Sequence, residues 1–443
     1  MFKSYLERIR DAGVVGAGGA GFPTHIKVNN MAEVVIANGA ECEPLLRVDR
    51  QLVEQYPDRL LEGMRIVMKI SNAKRGVFCL KKKYNNAVNR LSEAISGKGG
   101  GNISVHLIEN YYPAGDEQQL VYEVTGKVVP TGGLPLEAGV IVNNVGTLIN
   151  IADSAAGIPV TNKFVTVTGE VKNPVTLNVP IGTPVSRLIE LAGGPREDHG
   201  CSIIVGGPAM GRVESNWSAP VTKTLGGIIV LPSDHPLIMK KTASIEKDYK
   251  LAKSVCCQCN CCTQLCPRNA LGLGVEPHKV MRALGYGEAS AAGNTNSVFS
   301  CCDCGICTYY ACSMGLSPGR MVSALKAAMS GKGVKPKKAV PFSVSDSREY
   351  GKVPAQRFVE RLGLGRYDVP APLMIDEIQA DIVRIPLKQH IGISAEAIVK
   401  KGDCVQKGEL VGKVQEGKVG ANVHSSIAGT VSQVNGQFIE IMH

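Results

Sequence analysis

Eleven of the 15 cysteines lie between Cys256 and Cys312, while the other four, Cys42, Cys79, Cys201 and Cys404, are scattered. Thiols crowded this densely do not spread into a disulfide framework, and a chain of 443 residues is long enough to build hydrophobic cores without one. Their other common use is metal ligation. The N-terminal stretch MFKSYLERIRDAG has no apolar signal core, so the expected compartment is the reducing cytosol, where thiols stay available to metal.

The spacing narrows the metal. CCQCNCCTQLCP fits C-x2-C-x2-C-x3-C-P at Cys256, Cys259, Cys262 and Cys266, the run with which bacterial ferredoxins wrap a cubane. CCDCGICTYYAC repeats it at Cys301, Cys304 and Cys307, but its last member, Cys312, comes one residue late and is followed by Ser313. Cys257, Cys261 and Cys302 are then spare. Two such runs predict two [4Fe–4S] clusters. Tetrahedral zinc is the competing reading, since C-x2-C pairs also hold zinc; the third and fourth thiols of each run, and Pro267, weigh against it. In two-cluster ferredoxins the fourth ligand crosses over. The expected sets are therefore Cys256, Cys259, Cys262 with Cys312, and Cys301, Cys304, Cys307 with Cys266; the alternative is that each run keeps its own fourth cysteine.

Around the cysteines the chain divides by texture. Short β-branched runs at 33–39, 76–80, 103–108 and 140–142 alternate with helical patterns, notably at 49–70, which predicts a parallel α/β domain over 1–155. Alternating strands around Asn173-Pro174 and a short helix indicate a small α+β module over 160–240. The cysteine-rich segment, 245–330, carries helical stretches at 277–284 and 319–329. A Lys-, Gly- and Pro-rich stretch, 331–370, is expected to be a linker or a surface wrap. Short strands broken by Gly turns predict an all-β module over 371–443. No apolar run approaches the roughly 20 residues of a membrane helix. The formal charge of +10 comes from short scattered Lys/Arg groups without interleaved aromatics, which speaks against nucleic acid and for a solvated surface that attracts acidic proteins or phosphates.

The sequence from Gly13 to Thr24, GVVGAGGAGFPT, could cradle a phosphate on exposed N–H groups with Lys27 as countercharge. Taken alone, such a loop is a flexible turn as often as a site. Together with NGAECEP (38–44), YPAGDE (112–117) and NNVGT (143–147), GAGGAGFPTHIK resembles the FMN- and NADH-binding domain shared by the flavoprotein of respiratory complex I and the RnfC proteins of the Rnf complex. The resemblance implies a Rossmann-like FMN/NADH domain with Gly16, Gly18, Gly19, Lys27, Asn38, Glu41, Tyr112, Gly115, Asn143, Asn144 and Thr147 around FMN. Phe22, Glu41, Glu43 and Glu117 would line the NADH site, with Glu43 and Glu117 as the catalytic pair. Ala17 and Ala40 stand where the complex I flavoprotein has Arg and Asp, which implies looser flavin contacts.

Residues 164–194 are similar to the soluble-ligand-binding β-grasp (SLBB) module of these proteins, and the C-terminal stretch to their barrel-sandwich hybrid. In RnfC proteins the hybrid precedes the flavin domain; here it follows the clusters, an order that resembles the cobalamin reductases of propanediol-utilisation microcompartments. The implied function is electron transfer from NADH through FMN and two [4Fe–4S] clusters to cobalamin, in a cytoplasmic microcompartment. The implied partners are cobalamin or its adenosyltransferase, with a shell protein beside them. Ferredoxin, flavodoxin, a radical-SAM activase or an Rnf-type membrane complex are alternative acceptors, and a non-catalytic docking protein is the remaining reading.

Overall fold

The computed structural model describes residues 4–196 and 200–443. Four β-branched strands form a parallel sheet in the order Ile103–Ile108, Arg75–Lys81, Val34–Asn38, Val140–Asn144. Chain order reverses beside Val34–Asn38, so the crevice outside the carboxyl ends of Val34–Asn38 and Val140–Asn144 is the ligand position such sheets favour. Register places Asn38 opposite Asn144 and Ala37 opposite Asn143 at that edge. The helical pattern at 49–70 is two helices, Val48–Gln55 and Pro57–Ser71, because Pro57 has no N–H to continue the first and sits instead at the start of the second.

The β-grasp part is a mixed six-stranded sheet, in which Asn162–Gly169 lies between Val175–Pro180 and Gly227–Pro232, under the helix Val185–Leu191. Its outer strand on one side is Leu373–Glu377, which pairs parallel with Val175–Pro180, so the C-terminal module begins by crossing into the β-grasp sheet. The rest of that module is two small sheets, four-stranded and three-stranded, facing each other. The cysteine-rich part is helical, built on Ile245–Val255, Pro277–Tyr286 and Pro318–Gly331. Among the described residues no helix is long and apolar enough to cross a membrane.

Of the two readings of 331–370, linker and surface wrap, the chain takes the wrap. Its first half is a strap: Ala339 bridges to Thr131, Phe342 N–H donates to Gly272 O at 2.8 Å, and buried Arg348 pairs with Glu123 at 2.6 Å. Its second half is a strand and helix, Val353–Pro354 and Ala355–Arg361, whose Phe358, Val359, Leu362 and Leu364 are buried in a shared core with Tyr112 and Cys304. The Lys and Gly content that suggests a linker is mostly exposed, as are Val340, Phe342 and Tyr350 of the first half, while the few apolar residues that anchor the wrap, Val353, Phe358, Val359, Leu362 and Leu364, are buried.

Three parts of the chain meet at Lys223, which is buried and donates to Gly13 O at 2.7 Å and Asn422 O at 2.8 Å. Close by, Gly21 has φ +73°, and a Cβ there would fall 2.9 Å from Thr224 and 3.1 Å from His390, so the loop docks on both modules only as glycine. His390 and His424 line the seam; burial, reinforced by Lys223, pushes their imidazoles down to about 4 and about 3. Both are neutral in either state above the unfolded value of about 6.5; below it the unfolded chain takes up protons that the folded chain refuses. Stability is therefore expected to fall as pH drops from 6.5 toward 4. Thermal melts from pH 7.5 to 5 should show a steeper decline for the unsubstituted protein than for His424→Leu; parallel curves would count against this origin.

Candidate redox site

The glycine-rich loop is closed by Gly16 N–H donating to Phe22 O at 3.0 Å and is held over the sheet edge by Ala17 N–H donating to Thr147 Oγ1 at 2.9 Å. Lys163, from the first β-grasp strand, donates to Ala17 O at 2.7 Å. Gly18, Gly19 and Phe22 are left exposed at the crevice. Asn144 caps the helix Val145–Ala155 through Gly146 N–H at 2.8 Å and donates to the Asp49 carboxylate at 3.0 Å. Next to it Asn143, 4% exposed, keeps a buried Nδ2 with no partner in the protein. An orphaned amide, an exposed glycine backbone and a helix N-terminus at a sheet's switch point fit a flavin with its phosphate and polar ring edge.

The other expected residues divide. Lys27 Nζ and Glu117 Oε1 pair at 2.9 Å at the partly exposed mouth. Asn38 is a brace, donating to Gly115 O at 2.9 Å and accepting from Ala40 N–H at 3.2 Å. Glu41, at φ +41°, turns inward to accept Asp49 N–H at 2.5 Å at the start of the helix Val48–Gln55. Burial, with Asp49 beside it, pushes its carboxyl up to about 8. Asp49 and Lys163 belong to this buried polar group and carry no motif that marks them in the sequence; burial lowers the Lys163 ammonium to about 8 although Asp49 and Glu41 face it.

Glu43 and Tyr112 point toward the cysteine-rich part. One Glu43 oxygen accepts Ala209 and Met210 N–H at 2.9 and 3.1 Å; the other lies 2.8 Å from the Tyr112 hydroxyl. That hydroxyl is also 2.8 Å from Cys304 O, and its ring stacks on Phe358 at 4.3 Å. A single O–H donates once, so both short contacts are satisfied when Glu43 holds a proton and Tyr112 donates to Cys304 O. Burial raises the Glu43 carboxyl in the direction this requires.

The two cysteine runs share one backbone shape. Gln258 and Asn260 have φ +55° and +67°, and Asp303 and Gly305, at matching places, +55° and +75°. These left-handed residues turn the intervening chain around a common centre. Cys262, pushed up to about 12 by burial, is electrostatically next to Cys312, Cys256 and Cys259. Cys307, raised by burial, is next to Cys301 and Cys266 and also to Cys262. Cys304, raised by its hydrogen bond to Cys302 and by burial, is next to Cys307 and Cys266. These relations sort the eight thiols as Cys256, Cys259, Cys262 and Cys312 and as Cys266, Cys301, Cys304 and Cys307; among the described residues no three of them close on a single-ion site, and the sorting fits the four thiolates that each [4Fe–4S] cluster needs. Of the spare thiols, Cys257 is exposed, Cys261 opens the short helix Cys261–Gln264, and Cys302 lies against the buried Arg268–Asp116 pair.

Comparison with known proteins adds to this geometry. Residues 9–153 match the Nuo51 FMN-binding domain, 164–213 the SLBB domain, 255–317 a 4Fe-4S dicluster domain and 372–441 the RnfC barrel sandwich hybrid domain. The chain is 39% identical to "Cobalamin reductase PduS" of Salmonella typhimurium over 438 residues, 98% of this chain and 96% of that protein. Its counterpart in Citrobacter freundii is 38% identical over the same shares. One component of the Na(+)-translocating ferredoxin:NAD(+) oxidoreductase complex of Acetobacterium woodii is 35% identical over 265 residues, 58% of this chain and 56% of that component.

Proposed function

The chain belongs to the family of the cobalamin reductase PduS, and from that premise we propose that it reduces cobalamin with electrons taken from NADH. It is a multidomain flavo-iron–sulfur oxidoreductase, with an FMN-binding domain and a 4Fe-4S dicluster domain in one chain. The observation that carries the reading is the junction: the loop 112–117 of the FMN-binding domain touches the cysteine-rich part through Tyr112 to Cys304 O at 2.8 Å and through Asp116 to Arg268 at 2.6 Å. Two redox modules held this rigidly form one wire.

On this reading Gly16, Gly18, Gly19, Asn143, Asn144 and Thr147 hold FMN, while Asn38 and Gly115 fix the loop beneath it. A flavin held there would supply acceptance of a hydride from NADH and release of electrons one at a time. Phe22 offers an exposed apolar face to the nicotinamide, and the Lys27–Glu117 pair flanks the mouth where NADH enters. Glu43 holds a proton away from water behind the site. The eight thiols of the two groups ligate the clusters. The protein would then work in a cytoplasmic microcompartment, where low-valent cobalamin is restored for a dehydratase.

Anaerobic incubation of the flavin- and iron-loaded protein with NADH and cob(III)alamin tests the acceptor. The expected result is NADH-dependent loss of the cob(III)alamin spectrum. Flavin and clusters that bleach with NADH while the cobalt spectrum stays unchanged would move the acceptor to ferredoxin or flavodoxin.

A further inference from the structure

The two thiol groups stand differently toward the FMN-binding domain. Cys304 O receives the Tyr112 hydroxyl, and Cys266 is buried in a small core to which Tyr122 and Val128 of that domain contribute. The helix that follows Cys266 is tied down twice more, by Arg268 to Asp116 at 2.6 Å and by Gln119 Nε2 donating to Pro267 O at 2.8 Å. Cys304 and Cys266 are 7% and 8% exposed, no more buried than Cys262 of the other group at 8%, so it is these contacts with the FMN-binding domain that set the groups apart. In the other group, Cys256 and Cys312 pack on the core of Ile245–Val255, Pro277–Tyr286 and Pro318–Gly331, on the side of the module made of its own helices. Cys259 is exposed, as is its neighbour Cys257, and Met314, two residues beyond Cys312, is 48% exposed. The groups adjoin where Cys301 packs on both cores.

The geometry points to a fixed order: Cys266, Cys301, Cys304 and Cys307 form the flavin-side station, and Cys256, Cys259, Cys262 and Cys312, with Cys259 exposed, form the outer station, which passes electrons on to the acceptor. The inference rests on the reading that the chain holds FMN and two clusters. Electron tunnelling falls off steeply with distance, so the station hydrogen-bonded to the flavin domain receives first. Each transfer oxidises the donor by one electron and reduces the receiver by one, with no bond made or broken. The Tyr112 hydroxyl, donating to the backbone carbonyl of Cys304, is a positioning residue: it fixes the backbone that presents this ligand at the flavin-side station.

The test uses the full-length protein, purified anaerobically with flavin and iron quantified. In Cys259→Ala, NADH should still bleach the flavin and produce the EPR signal of one cluster, while acceptor reduction is lost. In Cys304→Ala, NADH should bleach the flavin and produce no cluster signal, although dithionite reveals the surviving cluster. The reverse pattern overturns the order. Tyr112→Phe keeps the ring on Phe358 and should shift the g-values or midpoint potential of the signal that survives in Cys259→Ala, leaving the other unmoved; a shift confined to the other signal also overturns it. An unsubstituted protein whose flavin NADH cannot bleach would refute the functional reading itself, and the inference with it.

Discussion

Replacing Arg268 with Met is expected to destabilise the folded protein by about 3–5 kcal/mol, the cost typical of stranding one partner of a buried ion pair. Arg268 Nη2 meets Asp116 Oδ1 at 2.6 Å, with side chains only 11% and 7% exposed. Without the guanidinium, the Asp116 carboxylate keeps little beyond the Gln119 N–H it caps at 3.3 Å, and Cys301 and Cys302 lose the nearby cation as well. Anaerobic denaturant unfolding of the loaded protein reads the loss. Asp116→Asn in the same chain removes the stranded charge yet keeps a capping side chain, so Arg268→Met/Asp116→Asn should recover much of it. A single-variant loss below about 1 kcal/mol, the range of exposed pairs, would mean that the pair does not hold the flavin and cysteine-rich parts together.

The junction that this pair stabilises is the part of the molecule least legible in sequence. Short-range signals are strong where one residue type does one job: β-branched runs ending at Asn38 and Asn144 form neighbouring parallel strands, and the C-x2-C-x2-C runs form matching turns. Both signals repeat at the period of the backbone, so spacing alone exposes them. Tyr112 and Cys304 are 192 positions apart, and nothing local to YPAGDE announces that its tyrosine faces a cysteine run. The same holds for Lys163 and Lys223, lysines in unremarkable segments whose buried amines join separate modules. Residues 331–370 show the opposite limit. Their composition fits a linker as well as a wrap because most of it is solvent-facing, while the few apolar side chains that fix the wrap, Phe358 above all, are diluted below any periodic signal. Glu43 sits in a resemblance motif tied to NADH, yet its hydrogen bonds run to Ala209, Met210 and Tyr112, contacts that only the tertiary fold supplies.

A second large effect is expected at the flavin crevice, where Gly18→Val should lower bound FMN by about tenfold or more, equivalent to at least ~1.4 kcal/mol of binding. A Cβ at Gly18 would lie 2.6 Å from Asn144 Nδ2 and 2.8 Å from its Cγ. Asn144 cannot yield cheaply, because its oxygen caps Val145–Ala155 and its nitrogen is committed to Asp49. A valine therefore moves the cap, the neighbouring Asn143 amide and the loop backbone together. Loss of the cap alone is worth about 1 kcal/mol of stability, so the protein should stay folded while its flavin site is spoiled. Gly97→Ala, at the end of the helix Asn85–Gly97 and outside the proposed site, is the control: a Cβ there meets nothing within 4 Å, and flavin content should stay near that of the unsubstituted protein. FMN-to-protein ratios after reconstitution, with a Kd from flavin fluorescence, separate the two. If Gly18→Val retains flavin as fully as Gly97→Ala does, FMN does not sit against Asn143 and Asn144, and the crevice at the sheet's switch point is not its site.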